Sequence, residues 1–296
     1  MTDNGNWGRW GSEDQRGALN LLDAPTVLGA VRGCTTGKVY SLAIPISRTS
    51  TPQIADRPTP ERLTLSAPAD SAVYQAYGAA EGVGANEDLI VIPSHAGTHM
   101  DALCHVYSEG TLYNGHPAGS FTPKLGAARC GVDQTGSFAG RGVLLDVAAW
   151  AGEDFLEAGR IVTADDLEAT RQTQGTEVRA GDILMVRTGW LEARRRPDGP
   201  PPGLEPGLGL DAVSFIRDHD VAAVGADNAA IESIPFDQNI FLAVHIELLV
   251  KLGVTLIEHL WLAELAADRC YESLFVVGAL PMTGAAGSPV NPIAIG

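Results

Sequence analysis

Short apolar runs alternate with longer stretches of helical apolar spacing through the second half of the chain. The runs are rich in Val, Ile and Leu, which is typical of buried strands. They are residues 142–147, 182–188, 221–227, 254–258 and 273–280. The predicted helices are residues 163–174, with Thr163 as cap, 210–219, 240–252 and 260–268. This alternation predicts an α/β fold.

The first half of the chain has fewer regular elements. Residues 39–46 and 88–92 predict strands, the second of them buried and closed by Pro93. Residues 47–87 and 194–210 are rich in residues that favour turns and predict long loops, the latter a loop or lid. With neither an internal repeat nor a clean linker, residues 1–296 are expected to form a single domain.

Residues 1–38 resemble an arm more than a regular element. They carry Trp7 and Trp10 among glycines and acidic residues. Exposed tryptophans would be unfavourable, so we expect this arm to pack over the active-site rim or against a partner subunit.

Composition excludes several classes of partner. Of the 296 residues 45% are hydrophobic and 19% charged, and the formal net charge is −16, which argues against a nucleic-acid or anionic-membrane partner. The one basic run, 194–196, precedes prolines and is expected on a solvated loop. The N-terminus lacks the pattern of a signal peptide and no apolar run approaches the roughly 20 residues of a membrane span. Four scattered cysteines without a CxxC pair favour a reducing compartment, so we expect a cytoplasmic protein. The expected partner is a small-molecule substrate.

One segment concentrates ligand chemistry. His95, His99, Asp101 and His105 fall within eleven positions. Imidazole nitrogen and carboxylate oxygen together suit Zn²⁺, Mn²⁺ or Fe²⁺. A fully extended chain would spread the first three over roughly 20 Å, so the backbone must turn, and Gly97 permits the turn. A helix would also align two of the histidines, but the preceding strand favours a strand-to-turn segment.

Two further polar residues belong to apolar elements. His245 lies in the helix 240–252, and Glu258 ends the next strand. Spacing alone favours a hydrogen-bonded core histidine and a solvated glutamate. Cys104 is expected to be a buried thiol, because neighbouring residues of an extended chain point to opposite faces and would not pair with His105.

Residues 95–105 resemble the HxGTHxDxPxH signature of the cyclase family of metal-dependent hydrolases, which includes bacterial kynurenine formamidase and isatin hydrolase. The similarity continues through residues 113–116, 187–190, 225–227 and 287–294, and is greatest to the longer branch of the family. This resemblance implies a mixed β-sheet core flanked by helices, with long loops.

The resemblance also implies roles for individual residues. His95, His99 and Asp101 would be metal ligands, and His105 the catalytic general base and acid. Asp101 would bridge to a second ion held by His245 and Glu258 in two-zinc members, whereas isatin-hydrolase-like members hold one Mn²⁺ on the first three ligands. No organic cofactor is implied.

Two positions depart from the family pattern. Leu103 stands where the signature often has proline, which bears on the reach of His105. Residues 227–232 lack the Asp-Thr-x-Ser pattern of the shorter formamidases, so the substrate is the least transferable property.

These observations favour a hydrolase that uses metal-activated water to open an amide, lactam, imide, ester or lactone bond of a small, cyclic or aromatic substrate. The alternatives are a metal-dependent cyclase or dehydratase and a non-enzymatic metal-binding protein. The intact set with His105 argues against the last, because a vestigial site needs no base. The resemblance and the tryptophan-bearing arm predict a homodimer or higher homo-oligomer.

Overall fold

A large mixed sheet lies at the centre of the protein, as seen in a computed structural model that describes residues 5–49, 51–52, 57–201 and 203–296. The strands of the described chain are β1 (Val39–Ser41), β2 (Glu61–Ser66), β3 (Glu87–Val91), β4 (His99–Asp101), β5 (Phe121–Thr122), β6 (Gly126–Ala127), β7 (Ser137–Asp146), β8 (Ile161–Val162), β9 (Ile183–Arg187), β10 (Gly207–Leu208), β11 (Ala223–Ala226), β12 (Thr255–Glu258), β13 (Glu272–Gly278), β14 (Gly287–Pro289) and β15 (Ile293–Ile295). Nine of these form the central sheet in the order β1, β15, β13, β7, β9, β11, β12, β4 and β14.

The direction of the strands changes across this sheet. β7, β9, β11 and β12 are parallel, and the strands on both flanks are antiparallel to their neighbours. Every residue of β9, β11 and β12 is buried, as expected for parallel strands covered on both faces. The predicted single-domain α/β fold with a mixed sheet is confirmed.

Helices flank the sheet. They are α1 (Ala24–Gly33), α2 (Ser71–Ala76), α3 (Val132–Thr135), α4 (Val147–Trp150), α5 (Ala164–Gln174), α6 (Trp190–Arg194), α7 (Ala212–Asp218), α8 (Ala243–His245), which continues as a π-helix (Ile246–Leu252), and α9 (Ala263–Ala267). The prediction for α5 is confirmed in detail, since Thr163 and Asp166 form a reciprocal capping box at its start. No helix in the described ranges is both long and apolar enough to cross a bilayer.

Several sequence predictions were wrong. The predicted buried strand 88–92 is β3, which is exposed along its whole length, because it pairs only with β2 in a separate two-stranded sheet. The predicted strand 39–46 is regular only in β1. No strand was predicted after residue 280, yet the tail supplies β14 and β15. α1 was also missed, although Asp23 caps it and proline stands in its first turn.

The N-terminal arm packs against its own chain as far as it is described. The indole nitrogen of Trp7 donates to the Val250 carbonyl at 2.7 Å, at the end of the π-helix. Tyr113 donates its hydroxyl to Asp14 at 3.1 Å, and Gly253 accepts a backbone hydrogen bond from Ala18. Packing of the arm against a partner subunit stays a prediction, and residues 1–4 lie outside the described part.

Gly253 is a position where an added side chain would disturb this packing. Its φ is +66°, and a Cβ there would lie 2.5 Å from the buried Tyr113 ring. Gly175 has the same φ with nothing within 4 Å of its Cβ position. We expect Gly175→Ala to lower the free energy of unfolding by about 1 kcal/mol through backbone strain, and Gly253→Ala by about 1–3 kcal/mol more through overpacking. Urea unfolding of both variants measures the difference, and equal losses would contradict the predicted clash.

Candidate metal centre

The pairing of β4 with β12 builds the first part of the site. In this antiparallel ladder His99 stands opposite Glu258, and Asp101 opposite Leu256. Because side chains alternate along a strand, His99, Asp101 and Glu258 share one face of the sheet. His99 Nε2 lies 3.0 Å from Glu258 Oε2 and 3.6 Å from Asp101 Oδ1. Local spacing did not predict this contact, because Glu258 is far from His99 along the chain, whereas the family resemblance places Glu258 near Asp101.

The turn before β4 returns His95 to the same place. Gly97 adopts a φ of +64°, as the predicted turn required, and its carbonyl lies 2.9 Å from His99 Nδ1. His95 Nε2 then lies 3.3 Å from Asp101 Oδ1. Gly287, paired with Asp101 on the other side of β4, leaves room for the imidazole, since a Cβ there would be 2.6 Å from His95 Nε2.

His245 enters from the helical layer. It is the last residue of α8, at the point where the helix widens into the π-helix, a distortion that often occurs at functional sites. Its Nε2 lies 3.3 Å from Glu258 Oε1 and 3.7 Å from Asp101 Oδ2. Sequence analysis predicted this helix from residue 240, but it starts only at Ala243.

Glu232 was not identified from the sequence as a site residue. Its fully buried carboxylate lies 2.6 Å from His245 Nδ1 and also accepts the backbone N–H groups of Val244 and His245. A carboxylate on the far nitrogen fixes the ring and its tautomer, as is common for metal-ligating histidines. A glutamate in a loop gives no sequence signal of this role.

His105 completes the cluster. Its ring stacks on that of His95 with centroids 3.9 Å apart and lies 6.4 Å from the ring of His245. Burial lowers the pKa of His105, so the imidazole is neutral at pH 7 and can accept a proton. All six residues singled out from the sequence therefore lie together, and they are His95, His99, Asp101, His105, His245 and Glu258.

Several polar atoms at the centre of this cluster are buried without hydrogen bonds among the described residues. Both carboxylate oxygens of Asp101 and Nε2 of His95 are buried without a hydrogen-bond partner among the described residues. Ligand atoms of His95, Asp101 and His105, and those of His99, Asp101 and Glu258, lie within 4.8 Å of one another. Asp101 belongs to both groups. Nitrogen and oxygen donors with orphaned buried atoms fit one or two divalent cations.

The histidines of the cluster differ in pKa. Burial lowers the pKa of His95 to about 3. Burial also disfavours charge on His245, but its contacts with Glu232 and Glu258 prevail and raise its pKa to about 10. The pKa of Glu258 is lowered although burial opposes it, because His245 and His99 face the carboxylate. Without metal, the cluster therefore holds a proton on His245.

A cavity of about 1220 Å³ opens over the cluster, and His105, His245, Glu258 and His259 line it. Apolar side chains form much of the remaining wall, among them Leu191, Ile234, Phe236, Phe241 and Leu242. The size and lining suit a small organic molecule.

The predicted loop 194–210 contributes to this cavity in an unexpected way. The basic run was predicted on a solvated loop, and Arg195 and Arg196 are exposed, whereas Arg194 is half-buried at the end of α6. Arg194 and Arg195 also line the cavity. Arg196 instead lies near Asp154, at 3.7 Å. Asp227 holds the turn before α6 by accepting the backbone N–H groups of Thr188 and Gly189. The sequence did not predict that Arg194 lines the cavity, because its place depends on the hydrogen bonds to Asp227 that hold the start of α6.

Cys104 and two further buried histidines lie outside the six-residue cluster. Cys104 is buried, and burial raises its pKa to about 12, so the thiol is a poor nucleophile. His116 is buried, with Nε2 3.1 Å from the Asp14 carbonyl. His259 is also buried and lies against the Gly97 carbonyl at 3.2 Å, beside the cluster.

Comparison with known proteins shows the family and the fold of this chain. The sequence model of the Cyclase family matches residues 40–233. A crystal structure described as a novel cyclase is 36% identical, with a TM-score of 0.89, covering 99% of this chain and 97% of that one. Isatin hydrolase A from Labrenzia aggregata, solved with benzyl benzoate, is 18% identical with a TM-score of 0.62, covering 90% and 98%. A potential metal-dependent hydrolase with cyclase activity is 20% identical with a TM-score of 0.54, covering 87% and 98%. No functionally curated protein matches the chain.

Glu232→Gln tests the role of the buried carboxylate behind His245. The substitution keeps the shape but removes the charge that orients and polarises the imidazole, so we expect divalent-metal affinity to fall about 10- to 100-fold. Competition with a chelating dye measures the affinity. Glu247→Gln, on the same helical segment but bound to Lys251, is the matched control. Equal affinity in both variants would contradict the assignment.

Proposed function

Because this chain belongs to the cyclase family, we propose that it is a metal-dependent hydrolase that opens an amide, lactam, imide, ester or lactone bond of a small cyclic or aromatic substrate. One observation carries the proposal: five ligating or proton-accepting side chains gather around the Asp101 carboxylate, whose oxygens have no hydrogen-bond partner among the described residues, at a cavity of about 1220 Å³. The apolar wall of that cavity supports an aromatic or alicyclic substrate.

The donor set supports Zn²⁺ or Mn²⁺, one or two ions per chain. By the family resemblance, His95, His99 and Asp101 would hold the first ion, and Asp101 would share a second with His245 and Glu258. The distances group these residues differently, with His95 and His105 near Asp101 on one side and His99 and Glu258 near it on the other. When bound, a divalent ion supplies Lewis-acid chemistry, polarising a carbonyl group and lowering the pKa of water.

His105 is proposed to move the proton. Its imidazole is neutral at pH 7 and lines the cavity beside His95, where a water and a substrate carbonyl would meet. It would take a proton from the attacking water and return it to the leaving amine or alkoxide. Glu232 and Gly287 would support this indirectly, the first by orienting His245 and the second by leaving room for His95.

Incubating the metal-loaded protein with a panel of small cyclic and aromatic amides, lactams and esters, isatin included, tests the proposal. Mass spectrometry of the products distinguishes the reaction classes, because hydrolysis adds one water whereas dehydration removes one. A ring-opened product with one water added, or two fragments that together equal the substrate plus one water, supports the hydrolase. A cyclised or dehydrated product, or none from a protein that binds no metal, would overturn it.

His105→Ala separates catalysis from metal binding. We expect the variant to keep its metal, measured by elemental mass spectrometry, and to lose about 10²–10⁴-fold in turnover, because a positioned base contributes that much. His219→Ala removes a histidine that contacts the Phe215 carbonyl, away from the cluster, and should change neither quantity. Loss of metal from the first variant would show that His105 is a ligand instead.

Metal binding should depend on pH. In the metal-free protein the pKa of His245 is about 10, so its imidazole is charged at neutral pH. An ion that uses Nε2 must expel that proton, so affinity should rise between about pH 6 and pH 9 with proton release. Calorimetry in buffers of different ionisation enthalpy measures the release. An affinity independent of pH would contradict the use of His245 as a ligand.

A further inference from the structure

The charge around the cavity differs from that of the whole chain. The net charge is −16, yet Arg57, Arg194 and Arg195 line this one cavity. Apart from the metal-centre residue Glu258, one acidic residue, Glu205, lines it in the described chain, and burial raises the pKa of that carboxyl. A cavity richer in cations than its protein favours an anionic ligand.

α6 presents two donors to the cavity from one helix face. Trp190 and Arg194 are separated by one helical turn, and both line the cavity. The Trp190 side chain is 2% exposed, and its Nε1 is buried without a hydrogen bond of normal geometry, although the indole lies near enough to Glu205 to lower the pKa of that carboxyl somewhat. A buried N–H without a hydrogen bond of normal geometry is unfavourable and rare, so this one has room for a better-placed acceptor on a ligand.

Arg194 has further N–H groups that can donate to the same ligand. Its described hydrogen bond is to the Pro200 carbonyl, and a guanidinium has five N–H groups. Glu205 lies near both donors, since burial raises the pKa of its carboxyl while Trp190 and Arg194 each lower it. Its hydrogen bond of normal geometry is to the backbone N–H of Ala229, at 2.8 Å. The planar fork of an arginine matches a carboxylate, whose oxygens can accept several hydrogen bonds at once.

We propose that the cavity selects substrates that carry a carboxylate away from the bond to be cleaved, and that Arg194 and the Trp190 indole N–H bind this carboxylate. The inference rests on the proposed hydrolase function and deepens it by naming a substrate class. The body of the substrate packs against the apolar wall formed by residues such as Phe236 and Phe241, and its reactive carbonyl faces the metal centre.

Two probes differing by one carboxylate test this inference. They are 4-formamidobenzoate and its neutral counterpart formanilide, both aromatic formamides. We expect the metal-loaded protein to favour the anionic probe in kcat/KM, and Arg194→Gln to reduce this preference about tenfold or more, because charge-assisted hydrogen bonds are the strong ones. The kcat/KM for formanilide should fall less than that for 4-formamidobenzoate, and the metal content should stay unchanged. Arg196→Gln is the matched control, since Arg196 lies near Asp154 and Phe155 and does not line the cavity.

A binding measurement keeps this test independent of turnover. Calorimetry on metal-loaded His105→Ala protein, with and without Arg194→Gln, measures the affinity for each probe. Tighter binding of 4-formamidobenzoate that needs Arg194, even without hydrolysis of either probe, supports the carboxylate site while the hydrolase proposal fails. Hydrolysis of formanilide with no preference for the anionic probe overturns the carboxylate site and leaves the hydrolase proposal standing. A preference that survives Arg194→Gln, or binding no tighter for the anionic probe, also overturns it.

Discussion

The buried carboxylate of Asp101 is the constraint on which the rest of the site depends. It lies on β4, in the central sheet, with neither oxygen hydrogen-bonded among the described residues. A buried carboxylate without hydrogen bonds is strongly unfavourable unless a cation lies near it, and protonated His245 is one such cation, with its Nε2 3.7 Å from Asp101 Oδ2. Histidines from the preceding turn, from β4 and from α8 all converge on this carboxylate. The polar centre of the molecule is therefore organised around positive charge that the protein chain does not fully supply.

Backbone elements far apart in sequence hold that geometry. β4 is only three residues long, and its two neighbours come from the last quarter of the chain. β12 provides Glu258 at a fixed register, and β14 provides Gly287, where a side chain would displace His95. Glu232 then fixes the ring of His245 from behind. Rigid strands and a second layer of hydrogen bonds give a metal centre the precision that a loop alone could not.

Net charge and local charge carry different information. The overall charge of −16 bears on partners as large as nucleic acids, whose field extends over the whole surface. A small substrate encounters only the lining of its cavity, where Arg194 and Arg195 lie. The same three-residue basic run divides its roles, because Arg196 faces the other way towards Asp154. Position at the end of α6 therefore decides which arginines line the cavity.

The sequence by itself determined the α/β class, the capping of α5 and the grouping of candidate ligands around Gly97, because these depend on local spacing and on residue chemistry. It did not determine that β3 is exposed or that the tail supplies β14, since short apolar or glycine-rich segments are buried or paired only according to their neighbours. The support of His245 by Glu232 and the place of Arg194 in the cavity were likewise decided by the tertiary structure. Contacts between residues far apart in sequence leave no local periodicity, so only the folded chain brings them together.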